Sequence, residues 1–456
     1  MMTTSEKLNK YFIPTGMKFG YGVGDLAFNI LINATSLYLL YFFTDVFIIG
    51  AASAGIIFLV SKLWNAAIDP FIGFMIDRTN TRWGKKRPYM LFGAIPLAIC
   101  FYLIFANPQL SASMRFVYGM ATFLLFNSVF AIVNVPYAAL TASMTLDTNE
   151  RSVLTGFRMS FAIVGTLVAA GATKPLVGLF ADEATGFKFV GILFGIIAAI
   201  IIIISFATVK ERVQPADEAE EHSFGSNMKA MLKNPPFILL VLSFFVTAVA
   251  IYATASTVNY FFKYNLQREE LIPYAFLALF ATAILAIPVW VYVSKKTSKK
   301  TSFITGLLIF SVSLLVIYLY PDLPPVMLIF LLCFAGIGMA TYFLFPWAMV
   351  PDTVEYSEWK TGIRQEGFLY GFFVFGLKLS QAFAGFLAGF ALDSFGYIPN
   401  TIQSATTLSG IRSLMTIIPC GLILFGILFL VFYPINAQMH AKMLGEIDTS
   451  QKNSLK

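Results

Sequence analysis

The chain has 456 residues, of which 58% are hydrophobic and only 12% are charged, and its formal net charge is +7. The mean hydropathy is +0.77. A soluble globular domain is about half apolar and about a quarter charged, so this composition excludes that class and predicts an integral membrane protein.

Twelve apolar runs follow one another along the chain, each close to the roughly 20 residues that a helix needs to cross a bilayer. They predict an all-α membrane protein with twelve transmembrane helices. In chain order the predicted spans are residues 18–46, 52–77, 88–107, 115–144, 156–181, 187–209, 236–263, 270–294, 302–320, 324–350, 366–392 and 411–435.

The positive charges predict the topology of these spans. With both termini in the cytoplasm, 22 of the 31 lysine and arginine residues lie on the cytoplasmic side and six on the other side. The remaining three, Lys62, Arg158 and Lys378, fall inside spans. This asymmetry follows the positive-inside rule, and it explains the net charge without an acidic partner. We therefore expect both termini inside and no nucleic acid as a partner.

One long polar insertion, "KERVQPADEAEEHSFGSNMKAMLKNPP", separates the sixth span from the seventh. It divides the chain into an N-terminal six-helix bundle (1–209), a cytoplasmic linker (210–235), a C-terminal six-helix bundle (236–435) and a cytoplasmic tail (436–456). Two six-helix halves around a site near the middle of the membrane describe the major facilitator fold. The acidic part of the insertion is interpreted as a solvated linker.

Polar and charged side chains inside the spans are the candidates for function. They are Asp25, Asn29 and Asn33 in the first span, Lys62, Asn65 and Asp69 in the second, Asn127, Asn134 and Tyr137 in the fourth, Arg158 in the fifth and Lys378 in the eleventh. For the amides, hydrogen bonding between helices is an equally good interpretation. Charges inside spans are rare and usually mark a substrate or ion pathway. Carboxylates, amides and an aromatic face would suit the hydroxyls and ring of a sugar.

Asp69 is the candidate for cation coupling. A carboxylate in a low-dielectric cavity holds a proton more tightly, and a nearby ammonium group has the opposite effect. If Lys378 approaches Asp69, binding or loss of a cation would make or break their ion pair. Such a switch would couple a cation to alternating access.

Other function classes lack their sequence signatures. The three cysteines lie in apolar segments without paired spacing, and the two histidines, His222 and His440, lie in polar stretches. We find no G-x-S-x-G and no spacing typical of metal ligands, so we expect no enzyme, no metal site and no bound cofactor. A receptor or scaffold would not need charges buried on several helices.

Several motifs then resemble one known family. "FGYGVGD", "YFFTDV", "WNAAIDP", "TRWGKKRPY", "NVPYAAL" and above all "VPDTVEYSEWKTGIRQEG" are similar to motifs of the glycoside–pentoside–hexuronide:cation symporters, to which the melibiose permease belongs. The resemblance covers residues 18 to 435. It implies a major facilitator fold in a bacterial inner membrane, with sugar entry coupled to H⁺, Na⁺ or Li⁺, and we expect the protein to function as a monomer.

The resemblance also implies roles for individual residues. It places Asp25 and Arg158 at the sugar, with Asn29, Asn134, Tyr137 and Lys378 as further substrate-binding candidates. It places Asp69, Asn65 and Lys378 at the cation. It also implies a charged cytoplasmic gate, with Arg82 and Arg87 in the loop after the second span, Arg151 in the loop before the fifth, and Asp352, Glu355 and Glu358 in the loop after the tenth.

Departures from the family pattern bear on the cation and the substrate. Asn65 replaces a second carboxylate, and Ala131 replaces a threonine of the sodium site. A sodium ion needs several hard oxygen ligands, whereas a proton needs one base, so H⁺ is favoured and Na⁺ is the alternative. Asn134 and Ala138 replace an aspartate and a tryptophan of galactoside-binding members, which argues against a galactoside. Pentosides, glucuronides and sulfonated sugars stay open, with Lys62 or Arg158 as partners for an anion, and a lysolipid is the alternative substrate class.

Overall fold

The computed structural model describes residues 13–145, 148–212, 224–320, 323–362, 365–436, 438–440, 442–443 and 445–446. Every regular element within these ranges is a helix. Twelve helical segments in the described chain are long and apolar enough to cross a membrane, which confirms the predicted fold class. His222 and the acidic part of the linker, for which the sequence made predictions, lie outside the described residues.

We number the spanning helices in chain order. They are α1 (Thr15–Tyr41), α2 (Ala51–Arg78), α3 (Arg87–Phe105), α4 (Ala112–Met144), α5 (Thr148–Val177), α6 (Glu183–Thr208), α7 (Pro235–Tyr260), α8 (Ile272–Lys296), α9 (Lys299–Leu319), α10 (Pro325–Thr361), α11 (Glu366–Ser394) and α12, which has two segments (Ala405–Met415 and Ile417–Val431). A short linker helix (Phe224–Leu232) precedes α7.

The helices divide into two compact units. The N-terminal unit contains the described residues up to 212 together with Tyr397–Thr401, and the C-terminal unit contains those of 224–396 and from 402 onward. In the N-terminal unit α1 packs on α5 and α6, α2 on α4, and α3 on α4 and α6. In the C-terminal unit α7 packs on α11 and α12, α8 on α10, and α9 on α10 and α12. The second unit therefore repeats the packing of the first, six helices later.

The repeat extends to the ends of α1 and α7. A turn of π-helix follows each of them, over Phe42–Val46 and Phe261–Asn265, and both turns begin with two phenylalanines. Six residues after the start of each turn, Ile48 and Gln267 both adopt a φ of 55°. A positive φ is rare for residues with a side chain, above all for a β-branched one, so its presence at matched positions marks a shared backbone motif.

Helix ends differ from the predicted boundaries where polar residues continue a helix beyond its apolar run. Arg87 is the first residue of α3, Arg151 lies in the first turn of α5, and Asp352, Glu355 and Glu358 lie on α10. The prediction that these residues lie in loops is wrong for all of them. Hydropathy detects the part of a helix that faces lipid, but charged residues favour helix as well as many apolar ones do.

The last span is interrupted, which its apolar run does not predict. Backbone angles at Thr416 leave the helical region, and helix resumes at Ile417. Pro419 explains the break, because its ring clashes with the carbonyl four residues earlier and it has no N–H to donate.

The described part of the segment after α12 packs against the C-terminal end of α10, which is predicted to face the cytoplasm. His440 Nε2 lies 2.6 Å from Glu355 Oε2, and Trp359 donates a hydrogen bond of 2.7 Å to Glu446. Met443 between them is fully buried. Two polar contacts on either side of one apolar anchor therefore dock this segment on the C-terminal unit.

We predict that His440→Ala loosens this docking. Loss of the bond to Glu355 leaves the carboxylate without one of its partners, so backbone amides of 438–446 should exchange with deuterium about tenfold faster, the effect of roughly 1–2 kcal/mol in a charge-assisted bond. Lys442→Gln is the matched control, because its contact with Glu446 is 3.8 Å long and exposed. Equal exchange in both variants would contradict a role for His440 in docking.

Close packing of α1 on α5 depends on Gly165. A Cβ at this position would lie 2.6 Å from the carbonyl oxygen of Leu26 and 2.9 Å from Cβ of Asn29. Backbone atoms of α1 cannot move aside as a flexible side chain does. Gly165 therefore sets the distance between these two helices.

We predict that Gly165→Ala destabilises the protein by about 1–3 kcal/mol, the usual cost of overpacking. Gly156→Ala on the same helix is the control, since a Cβ there meets nothing within 4 Å. The control should be neutral or slightly stabilising because alanine favours helix. Thermal unfolding in detergent checks both, and an unchanged midpoint for Gly165→Ala would show that α1 and α5 separate at little cost.

Candidate functional site

A buried ion pair joins α1 and α5 within the N-terminal unit. Arg158 Nε donates to Oδ2 of Asp25 at 2.5 Å, and Nη2 lies 3.3 Å from Oδ1. The side chains are 18% and 8% exposed, respectively. A two-point contact of this kind fixes the orientation of both groups, and each charge compensates the other away from bulk water.

Tyr137 of α4 completes this cluster. Its hydroxyl lies 2.9 Å from Asp25 Oδ2 and 2.6 Å from the carbonyl oxygen of Tyr21, so one proton serves two acceptors. The Arg158 guanidinium lies 5.2 Å from the centre of the Tyr137 ring and 5.5 Å from that of Tyr21. Asp25, Arg158 and Tyr137, predicted as separate candidates, thus form one cluster, which we call the Asp25 cluster.

Gly24 makes room for this arrangement. A Cβ on Gly24 would lie 2.5 Å from a ring carbon of Tyr137, so any side chain there would displace the ring. Tyr21 in turn donates to the carbonyl of Tyr137 at 3.0 Å and lies 2.7 Å from Thr141 Oγ1. Sequence reasoning missed Tyr21, although it lies one helical turn before Asp25 and hence on the same face of α1.

The amides of α1 are engaged mainly in packing. Asn29 Nδ2 donates to the backbone carbonyl of Asp25 at 2.8 Å, and Asn33 Nδ2 reaches Thr166 Oγ1 of α5 at 3.1 Å. The bond of Asn33 links α1 to α5, which is the alternative interpretation of the polar stripe, whereas the bond of Asn29 stays within α1. Asn134 is half-buried on α4, one turn before Tyr137, and does not join the Asp25 cluster.

The cation-site candidates of the N-terminal unit lie on α2. Asn65 is buried and donates to the backbone carbonyl of Asn127 on α4 at 3.1 Å, whereas Asp69, one turn further, is half-buried. Ala131 packs in a small apolar cluster with Ile72 and Ile76. Asn65 therefore also links α2 to α4, and the position of the family's threonine is part of an apolar contact.

In the N-terminal unit, each predicted gate arginine has a local contact. Arg82, in the loop between α2 and α3, is exposed and stacks on Trp83. Arg87 donates to the carbonyl of Phe206 on α6 at 2.8 Å, and Arg151 donates to that of Thr145 at the end of α4 at 2.9 Å. Their role in a gate stays a prediction.

In the C-terminal unit, two predicted gate acids also have local partners. Lys299 lies 2.7 and 2.8 Å from the two oxygens of Asp352, and His440 lies 2.6 Å from Glu355 and 3.7 Å from Asp352. Asp352, Glu355 and His440 bring ligand atoms within 4.8 Å of one another, a juxtaposition that the search for metal-ligand spacing missed. It could not be found from the sequence because His440 is 85 residues from Glu355. Because Lys299 forms an ion pair with the carboxylate of Asp352, we interpret this cluster as an ion-pair network.

Glu358 and Lys378, the remaining candidates, are both half-buried, on α10 and α11 of the C-terminal unit. The proposed association of Lys378 with Asp69 stays a prediction from the resemblance.

A scan of known families and proteins agrees with this architecture. The family model described as MFS/sugar transport protein matches residues 20–437. The uncharacterized symporter YnaJ of Bacillus subtilis is 34% identical over 95% of either chain. The isoprimeverose transporter of Lactiplantibacillus pentosus is 31% identical over 98% of this chain and 95% of its own. A putative sulfoquinovose importer of Escherichia coli is 32% identical over 96% and 94%.

Solved structures show the same fold at much lower identity. A bacterial homologue of the human lysosomal transporter Spinster, in an inward-facing and unoccupied conformation, superposes with a TM-score of 0.69 at 14% identity. The match covers 94% of this chain and 97% of that one. Because the family model matches most of the sequence, the chain belongs to the MFS/sugar transport protein family and is a multi-pass membrane transporter, not an enzyme.

Proposed function

We propose that this protein is a secondary active sugar:H⁺ symporter. The observation that carries the proposal is the Asp25 cluster, a carboxylate, a guanidinium and a phenol that converge inside the N-terminal unit of a chain of this family. Carboxylate oxygens accept from sugar hydroxyls and guanidinium N–H groups donate to them, so the ion pair offers both kinds of partner at one place.

The substrate that suits this cluster best is a neutral sugar, such as a glycoside or pentoside. The positive charge of Arg158 is balanced by Asp25, so Arg158 has no uncompensated charge to offer an anionic sugar. An anionic sugar would have to compete with Asp25 for the guanidinium and would leave a buried carboxylate uncompensated, at a cost of several kcal/mol. The relatives named for isoprimeverose and for sulfoquinovose represent the two alternatives.

H⁺ is the proposed coupling ion, with Asp69 as the group that carries it. The side-chain N–H of Asn65 donates to the backbone of α4, so Asn65 offers a cation only its neutral amide oxygen, and Ala131 offers no oxygen ligand. A sodium ion needs several hard oxygen ligands and would find too few of them near Asp69, whereas a proton needs only a single base. Sodium coupling is the alternative.

Uptake into proteoliposomes tests substrate and ion together. A panel of neutral glycosides, pentosides, a glucuronide, a sulfonated sugar and a lysolipid is offered while H⁺ and Na⁺ gradients are imposed separately. The proposal requires accumulation of a neutral sugar driven by the H⁺ gradient. Stimulation by sodium alone would overturn the H⁺ assignment, preference for the anions would overturn the substrate class, and transport of lysolipids alone would overturn both.

We predict that Asp69→Asn abolishes accumulation against a gradient but preserves exchange of labelled for unlabelled sugar. An amide cannot take up a proton in this pH range, while substrate binding and the movement of the helices do not need the charge. Asp393→Asn, at the exposed end of α11, is the control and should accumulate sugar like the wild type. An Asp69→Asn variant that still concentrates sugar would exclude Asp69 as the coupling group.

We also predict that Tyr137→Phe weakens sugar binding about tenfold. The hydroxyl holds the carboxylate of Asp25 in place, and a hydrogen bond to a charged group contributes about 1.5–3 kcal/mol. Tyr21→Phe is the matched control, since its hydroxyl bonds Thr141 and a backbone carbonyl but not Asp25. The half-saturation concentration in exchange measures both, and an equal effect of the two substitutions would assign Tyr137 to packing alone.

A further inference from the structure

A groove of about 440 Å³ runs along the outside of the N-terminal unit, between α3 and α6. Its side chains are short in the middle, at Ala98 and Ala199, and branched at the rims, where Ile95, Ile99, Ile196 and Ile200 are each more than half exposed. Both helices are membrane spans, so these exposed faces belong to the apolar layer of the bilayer. The groove lies outside the Asp25 cluster.

The groove exists because α3 and α6 approach each other closely. A Cβ on Gly195 would lie 3.0 Å from the carbonyl oxygen of Ala98, and one on Gly191 would lie 3.2 Å from Phe105. With small residues at the contact and isoleucines beside it, the surface forms a channel instead of a ridge. A channel of fixed shape can hold one chain of methylenes with more contacts than a flat surface offers.

The length of the groove matches one leaflet. Its rim on α6 runs from Ile192 to Ile203, and this stretch rises about 16.5 Å at 1.5 Å per residue. Half of the hydrocarbon core of a bilayer is about 15 Å thick. The groove is therefore about as long as the part of an acyl chain that lies in a single leaflet.

Positively charged residues lie beyond one end of the groove, toward the start of α3. Phe92, one turn before Ile95 on α3, packs edge-to-face on Trp83 at 5.8 Å, and the Arg82 guanidinium lies 4.3 Å from a ring centre of Trp83. Lys85 in the same loop and Lys210, just after α6, are also exposed. Tryptophan beside cationic residues is typical of the membrane interface, where phosphate groups lie.

An acidic residue at this end, Glu211, is hydrogen-bonded by backbone N–H groups. Both carboxylate oxygens of Glu211 accept from the backbone N–H groups of Lys85, Lys86 and Arg87, at 2.8 to 3.2 Å. These groups form the N-terminus of α3, whose dipole also favours a negative charge. The donors to Glu211 in these bonds are backbone N–H groups and not the side chains of Arg82, Lys85 and Lys210.

From this combination we infer a binding site for an anionic phospholipid, with an acyl chain in the groove between α3 and α6 and the phosphate at Arg82, Lys85 and Lys210. The positive-inside prediction assigns this end to the cytoplasmic leaflet. The site does not depend on the proposed sugar or ion, because none of its residues belongs to the Asp25 cluster.

Lipid titration of the delipidated protein in detergent tests the site. Phosphatidylglycerol and phosphatidylcholine with identical chains are added separately, and the unfolding midpoint and the number of tightly bound lipids, by native mass spectrometry, are recorded. We expect saturable stabilisation and one retained lipid with phosphatidylglycerol only. Equal effects of both lipids would mean non-specific solvation and would overturn the site.

Two variants separate the headgroup from the acyl chain. Arg82→Gln/Lys85→Gln/Lys210→Gln should raise the half-saturating concentration of phosphatidylglycerol about tenfold or more, since each cation near an anionic headgroup contributes appreciably. The control is Lys295→Gln/Lys296→Gln, which changes two exposed lysines at the end of α8.

Ala199→Leu should fill the groove and abolish saturation, whereas Gly421→Leu, at an exposed position with nothing within 4 Å, should not. If both the triple variant and Ala199→Leu respond to phosphatidylglycerol like the wild type, the inference is refuted. If only the triple variant responds like the wild type, the role of the cations is refuted.

Discussion

The ion pair between Asp25 and Arg158 is the interaction on which the N-terminal unit depends. A single charge at the level of the membrane core is costly, and here each charge removes the cost of the other. Because the two groups come from α1 and α5, and Tyr137 from α4, the same contacts that neutralise the charges also hold three helices in register. If these groups also bind the substrate, as we propose, a ligand that replaces one of their contacts would change the packing of these helices.

Duplication of a six-helix unit explains much of the remaining structure. The two units share their order of helix contacts, the π-helical turns after α1 and α7, and the positive φ of Ile48 and Gln267. The polar chemistry is not shared in the same way. The Asp25 cluster lies in the first unit, whereas the second carries the network of Lys299, Asp352, Glu355 and His440 near the end of α10. One scaffold thus carries two different sets of charges.

Features with a strong local signal could be predicted from the sequence. Twelve spans follow from hydropathy, and Asp25 and Arg158 stand out because charges are expensive in an apolar run. Features that depend on distant pairs could not be predicted. The contact of His440 with Glu355 has no trace in their spacing. The sequence also does not show that the side-chain N–H of Asn65 donates to the backbone carbonyl of Asn127 and so links α2 to α4. Helix ends were missed for a different reason, because hydropathy measures the lipid-facing portion and not the length of the helix.

The length of α10 has a mechanical consequence. Its 37 residues extend about 56 Å, well beyond an apolar layer of about 30 Å, and two prolines, Pro346 and Pro351, interrupt its hydrogen bonding just before Asp352. The helix therefore consists of a rod within the bilayer and a lever outside it, with a weak point between them. Bending at that point would move the acidic side chains of the lever together with the docked C-terminal segment, and it would strain the ion pair of Asp352 with Lys299 on α9.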